Sequence, residues 1–96
     1  MVEKKEACLD WHRKKIGIRS EDALRLGVPF VITEFGACLD GPGCSQELSQ
    51  VLQLSDKNLT GWAYWQLKTY KDPTTSAGTS SEGFYRSDGT LITVKV

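Results

Sequence analysis

The sequence predicts an α/β fold built as part of a (β/α)8 barrel, and three observations lead there. Helical and strand patterns alternate along the chain, and the apolar strand at residues 28–32 delivers one carboxylate, Glu34, near its C-terminal end. Two strands with their helices neither close a barrel nor cover both faces of a parallel sheet. A complete barrel needs about 250 residues and eight strands. Ninety-six residues supply only part of that.

The first segment, residues 3–16, is charged, with Ala7, Leu9, Trp11 and Ile16 scattered through it, and predicts a weakly amphipathic helix. A second, short helix is expected to start at Ser20 as cap, with Glu21 and Asp22 in its first turn. Ala23, Leu24 and Leu26 supply its apolar contacts, and Gly27 stops it.

The strand that follows, Val28-Pro29-Phe30-Val31-Ile32, is apolar in the manner of strands buried on both faces of a parallel sheet. Pro29 is tolerated near the strand start. Burying an unpaired carboxylate is costly, so Glu34 is expected where the sheet opens to solvent or to a cleft. In (β/α)8 barrels that end of the strands carries the active site. A solvated loop glutamate is the plain alternative.

Beyond Glu34 a Gly- and Cys-containing loop is expected to end at Ser45. A helix with Leu48, Val51 and Leu52 on one side follows, with Glu47 near its positive end. Gly61-Trp62-Ala63-Tyr64-Trp65-Gln66-Leu67 predicts the second strand, parallel to the first. Glu34 and the Trp65-Gln66 pair then face one rim. Trp62, at the strand start, is expected in the core, and Tyr64, opposite to Trp65 by strand alternation, against the outer helices. Residues 72–81 form a long polar loop, and residues 84–96 a hairpin around Asp88-Gly89.

Twelve basic and twelve acidic side chains cancel, so nothing in the charge favours nucleic acid or an anionic membrane surface. No run approaches the roughly 18 apolar residues of a transmembrane helix, and the charged start lacks the apolar core of a signal peptide. Cys38 and Cys44 flank Gly41-Pro42-Gly43, a turn that can bring both sulfurs within bridging distance; unpaired, reduced thiols are the alternative. Asn58-Leu59-Thr60 matches an N-glycosylation acceptor, with Asn58 as the modified residue. Together these two features hint at an oxidising compartment. Cys8 is the odd cysteine, and with His12 as the single histidine no zinc site is expected.

Val31-Ile32-Thr33-Glu34-Phe35-Gly36-Ala37, followed at a distance by Gly61-Trp62-Ala63-Tyr64-Trp65-Gln66, resembles the last two strands of the TIM barrel of glycoside hydrolase family 5. The run Ser81-Glu82-Gly83-Phe84-Tyr85, with Asp88-Gly89 and the cysteine loop, is most similar to the endoglycoceramidase branch. The resemblance covers about residues 20–92.

The resemblance implies that Glu34 is the nucleophile of a retaining β-glycosidase, ionised beside a polar rim of hydrogen-bond donors. It further implies that Trp65 floors the sugar site, where an indole packs against a pyranose face. A core aromatic is the other reading of Trp65. Gln66 and Lys68 are candidates for sugar hydroxyls, or solvated loop residues. Glycosphingolipid is the first expected substrate and β-glucan the second. No cofactor or metal is expected, and the parent protein is expected to be extracellular or lysosome-like.

One departure from the family pattern matters most. A retaining glycosidase needs a second carboxyl about 5 Å from the first, and in the family it follows an asparagine. No Asn-Glu pair occurs here. Glu47, Asp72, Glu82 and Asp88 remain, none at a matching strand end. The chain is therefore expected to be a C-terminal fragment of the catalytic domain, inactive alone and completed by the rest of the barrel. A non-catalytic carbohydrate-binding module and an inert structural fragment are the alternatives.

Overall fold

The structure, a computed structural model, describes residues 2–38, 41–70 and 82–93. The polar loop at 72–81 with Asp72 and Ser81, and the hairpin end at residues 94–96, lie outside the described residues. The order of elements is α1 (Val2–Leu26), β1 (Val31–Ile32), α2 (Pro42–Lys57) and β2 (Gly61–Trp62).

Where two helices are expected before the first strand, the structure has one. Helix α1 runs unbroken through Gly17 and Ser20. A single interior glycine costs a helix only about 1 kcal/mol relative to alanine, too little to break it. Ser20, already inside a turn, caps nothing. The stop at Gly27 does occur: its φ of 67° takes the chain out of the helix, and Val28 N–H closes back on the Ala23 carbonyl at 3.0 Å.

The outer side of α1 is laced by Arg13–Asp10, Arg19–Asp22 and Arg25–Asp22 pairs three residues apart. These contribute little at such exposure. Its inner side buries Ile16 against Val51 and Leu54 of α2, and Gln50 Nε2 reaches the Lys5 carbonyl at 3.4 Å. Leu24, expected to make apolar contacts, is 84 % exposed, and Leu26 is exposed as well. No described element covers that side.

Helix α2 begins three residues earlier than expected, at Pro42, where the fixed φ and absent N–H of proline suit the first helical turn. Ser45 is consequently inside the helix, and Glu47 lies beyond its first turn. Cys44, Leu48, Val51 and Leu54 recur at helical spacing and form its buried side. Asn58 closes the helix, its backbone N–H and its Nδ2 both donating to the Leu54 carbonyl, at 3.0 and 2.7 Å.

β1 and β2 are parallel, with Val31 opposite Gly61 and Ile32 opposite Trp62. The regular pairing is shorter than the two strands expected, but Ala63 N–H to the Ile32 carbonyl (2.8 Å) and Trp65 N–H to the Phe35 carbonyl (3.0 Å) carry it onward. Val28 and Val31 are exposed, against the expectation of burial on both faces, and so is Trp62, at 46 %. Among the described residues this sheet has two strands, so neither Val31–Ile32 nor Gly61–Trp62 has a strand on its outer edge.

Two small apolar clusters meet at Phe35. One is Ile16, Val51 and Leu54, flanked by Leu9, Phe30 and Ile32; the other is Cys38, Cys44 and Leu48, flanked by Tyr64. Phe35 packs against both. The C-terminal segment folds around the expected turn: Arg86 N–H donates to the Thr90 carbonyl, Gly89 N–H to the Arg86 carbonyl, and Ile92, 1 % exposed, donates to the Phe84 carbonyl.

Candidate functional site

Glu34 lies two residues beyond β1. Strand alternation turns its side chain away from that of Phe35, which is drawn into the core, and both Thr33 and Glu34 are exposed. The Phe35 ring stands edge-on to Trp62 at 5.6 Å and to Tyr64 at 5.5 Å between centroids. Its carbonyl accepts from Trp65 N–H. The segments bearing Glu34 and Trp65 are therefore hydrogen-bonded neighbours at the same end of the two parallel strands, as the alternation of elements predicts. Trp65 is 42 % exposed.

Directly after Glu34 and Phe35 the backbone makes a glycine-dependent turn. Gly36 has φ 118°, and its carbonyl accepts from the Cys38 amide at 2.9 Å and from the Tyr64 hydroxyl at 3.4 Å. Cys38 and Cys44 are disulfide-bonded, with their Cα atoms 5.2 Å apart. The bridge ties this loop to the first turn of α2. Cys8 is free and exposed.

Tyr64 faces the cluster at the start of α2, in keeping with strand alternation. Its ring also stacks on Phe84 at 4.0 Å and 23°. Burial pushes its phenol above the ordinary value of 10.0.

The segment 82–85 is sewn to the chain just beyond Trp65. Gln66 N–H donates to the Glu82 carbonyl and Phe84 N–H to the Gln66 carbonyl, at 2.8 and 3.0 Å. Tyr85 and Thr69 bond in the same way to Leu67 and Tyr85 carbonyls. Gln66 is thus held by its backbone on both sides and half-buried. Lys68 directs its ammonium over the Tyr70 ring, 5.8 Å from the centroid. The Trp65–Gln66 peptide is cis.

No described residue donates a hydrogen bond or pairs with the Glu34 carboxylate, in contrast to the expected rim of donors. Among the described residues, three other carboxylates weighed as partners for Glu34 have these places. Glu47 lines an open depression of about 390 Å³ between the helices, with Cys8, Trp11 and His12. Asp88 accepts from the Thr90 amide and hydroxyl inside its own turn, and the Glu82 backbone carbonyl accepts from Gln66 N–H. A second depression, of about 400 Å³, lies between Lys5 and the polar side of α2, and neither is lined by Glu34 or Trp65. Among the described residues no group of three or more His, Cys, Asp or Glu is placed to hold a metal, and no helix is long and apolar enough to cross a membrane.

Asn58 has the nitrogen of its side chain engaged on the Leu54 carbonyl, and Thr60 of the same tripeptide is buried. The coupling of Tyr64 to Gly36 and Phe84 is not among the expectations the sequence supports. The available signal was a glycine two residues after the carboxylate, beside a tyrosine on the neighbouring strand. Comparison with family models, with curated proteins and with solved structures finds no match to this chain.

Proposed function

We propose that this chain is part of a retaining β-glycosidase that hydrolyses O-glycosidic bonds, with glycosphingolipids as substrate class and Glu34 as nucleophile. The observation that carries the reading is the Phe35–Trp65 backbone pairing. It sets an exposed carboxylate and an exposed indole at the same end of adjacent parallel strands, the end where barrels of this architecture assemble their sites.

In this reading a Glu34 oxygen attacks the anomeric carbon and forms a glycosyl ester, while the sugar's apolar face rests on Trp65. The leaving oxygen takes its proton from a second carboxyl, which then deprotonates the water that breaks the ester. That second carboxyl belongs to the part of the barrel outside this chain. The 96 residues alone therefore turn over no glycoside.

Sequencing the full transcript and trapping the nucleophile test the reading together. Six further strands with an Asn-Glu pair in frame upstream support it. A dinitrophenyl 2-deoxy-2-fluoro-β-glucoside needs no acid to expel its leaving group, so it reports on the nucleophile alone. Applied to the full protein, it should add one fluoroglucosyl group to the Glu34 peptide and none to a Glu34→Gln variant. An in-frame stop immediately upstream, or labelling elsewhere, overturns the assignment.

The exposure of Trp62 and Trp65 together supports a second reading, a carbohydrate-binding fragment without catalysis. Titration with lactose or cellobiose separates the two. Quenching of tryptophan fluorescence in the chain alone, lost in Trp65→Ala and unaccompanied by Glu34 labelling in the full protein, favours the binding fragment.

A further inference from the structure

We propose that Tyr64 is a positioning residue for the Glu34 carboxylate, acting through the Gly36 carbonyl and the Phe35 ring. The proposal rests on the reading of Glu34 as the site carboxylate, and it adds the device that holds that residue in place.

Contacts from the neighbouring strand converge on the two residues that follow Glu34. The Tyr64 hydroxyl donates to the Gly36 carbonyl at 3.4 Å, and the Tyr64 ring stands perpendicular to that of Phe35, 88° between planes. Trp65 N–H fixes the Phe35 carbonyl at 3.0 Å. The Tyr64 ring also fills the space a β-carbon at Gly36 would need, so at Gly36 only glycine satisfies both the φ of 118° and the approach of the ring.

Tyr64 is itself braced from two directions. Phe84 stacks on its outer face, and the Cys38–Cys44 bridge with Leu48 packs against it from α2. Ring and hydroxyl together thus connect three segments: the turn after Glu34, the start of α2 and, distant in sequence, the C-terminal hairpin. Glu34 has no described partner for its own carboxylate, so its orientation derives from the backbone on either side of it. On its N-terminal side that backbone is held by the sheet. On the C-terminal side Tyr64 and Trp65 hold it from the neighbouring strand, beside the Cys38 amide that also donates to the Gly36 carbonyl.

Nuclear magnetic resonance of the 96-residue chain tests this with Tyr64→Phe, which keeps the ring and removes only the hydroxyl. The expected result is an upfield move of the Gly36 carbonyl carbon and a fall of the Glu34 amide order parameter from the rigid range near 0.85 toward about 0.6. The amides of Leu48, Val51 and Leu54 should stay in place. A merely structural role for Tyr64 would disturb the α2 amides as much as Glu34.

Phe84→Leu, which leaves the hydroxyl intact but unbraces the ring, should loosen Glu34 in the same direction. Unchanged Gly36 and Glu34 signals in both variants overturn the proposal. Failure of fluoroglucosyl labelling in the full protein would overturn the glycosidase reading while leaving these signals to decide the positioning separately.

Discussion

A β-carbon added to Gly36 would fall within the ring of Tyr64. The turn after Glu34 and the strand beside it are therefore matched to each other by the absence of a single methyl group. Gly36→Ala meets both the positive φ and this overlap. Backbone strain and overpacking each cost about 1–3 kcal/mol, so a loss of about 2 kcal/mol or more is expected. A lower urea midpoint is the measurement. Gly27→Ala is the control, since at that position φ is positive but nothing lies within reach of the new carbon.

The bridge between Cys38 and Cys44 closes a loop with a sequence separation of 6. A loop this short contributes about 2 kcal/mol by restricting the unfolded chain. The double variant Cys38→Ala, Cys44→Ala should therefore denature at lower urea by that amount. Cys44 is buried, so a thiol reductant reaches the bond only when the loop opens. Reduction of the native chain by dithiothreitol should be slow and should accelerate in dilute urea, followed by mass spectrometry after alkylation.

Tyr64 predicts an alkaline limit. Its native pKa lies above the 10.0 of a free phenol because burial disfavours the phenolate. The stabilisation linked to this shift is complete below pH 10 and is lost as pH rises through the raised native value. Phenolate absorbance should show a late step that coincides with loss of the Tyr64 contacts. Tyr64→Phe should abolish that step.

Asp88 predicts the opposite limit. The Thr90 backbone amide, then the Thr90 hydroxyl, and with them the Arg86 charge, hold its carboxyl below the usual 3.8. A depressed native value stabilises the turn above pH 3.8 and ceases to do so as pH falls through that lower value. The Thr90 amide resonance should titrate with a midpoint under 3.8. In Asp88→Ala that titration should vanish and the turn should exchange its amides faster.

Particular residues show what was legible in the sequence. Leu48 and Val51 announce α2 because burial on a helix repeats at the helical period, and the two apolar strands announce a parallel pair because a helix separates them. The turn at Asp88-Gly89 is legible from its residue types alone. The continuity of α1 is not. Ser20, Glu21 and Asp22 satisfy the local rules for a helix start, but nothing forbids the preceding turn from continuing through them, and a helix already under way is cheaper to extend than a new one is to nucleate.

The exposure of Trp62, Val28 and Leu24 was equally hidden. Composition tells which side chains favour burial; only the neighbours tell which of them achieve it. As for the site, the shared end of Glu34 and Trp65 follows from the order of elements. The Tyr64–Gly36–Phe84 coupling links positions far apart in the chain, and no periodicity reports it.

The hydrogen bond from Trp65 to Phe35 has one more consequence. It lies inside residues 31–66, so the segments bearing the carboxylate and the indole are made neighbours by the two strands themselves. Residues outside that stretch act on it through Tyr64, whose ring stacks on Phe84.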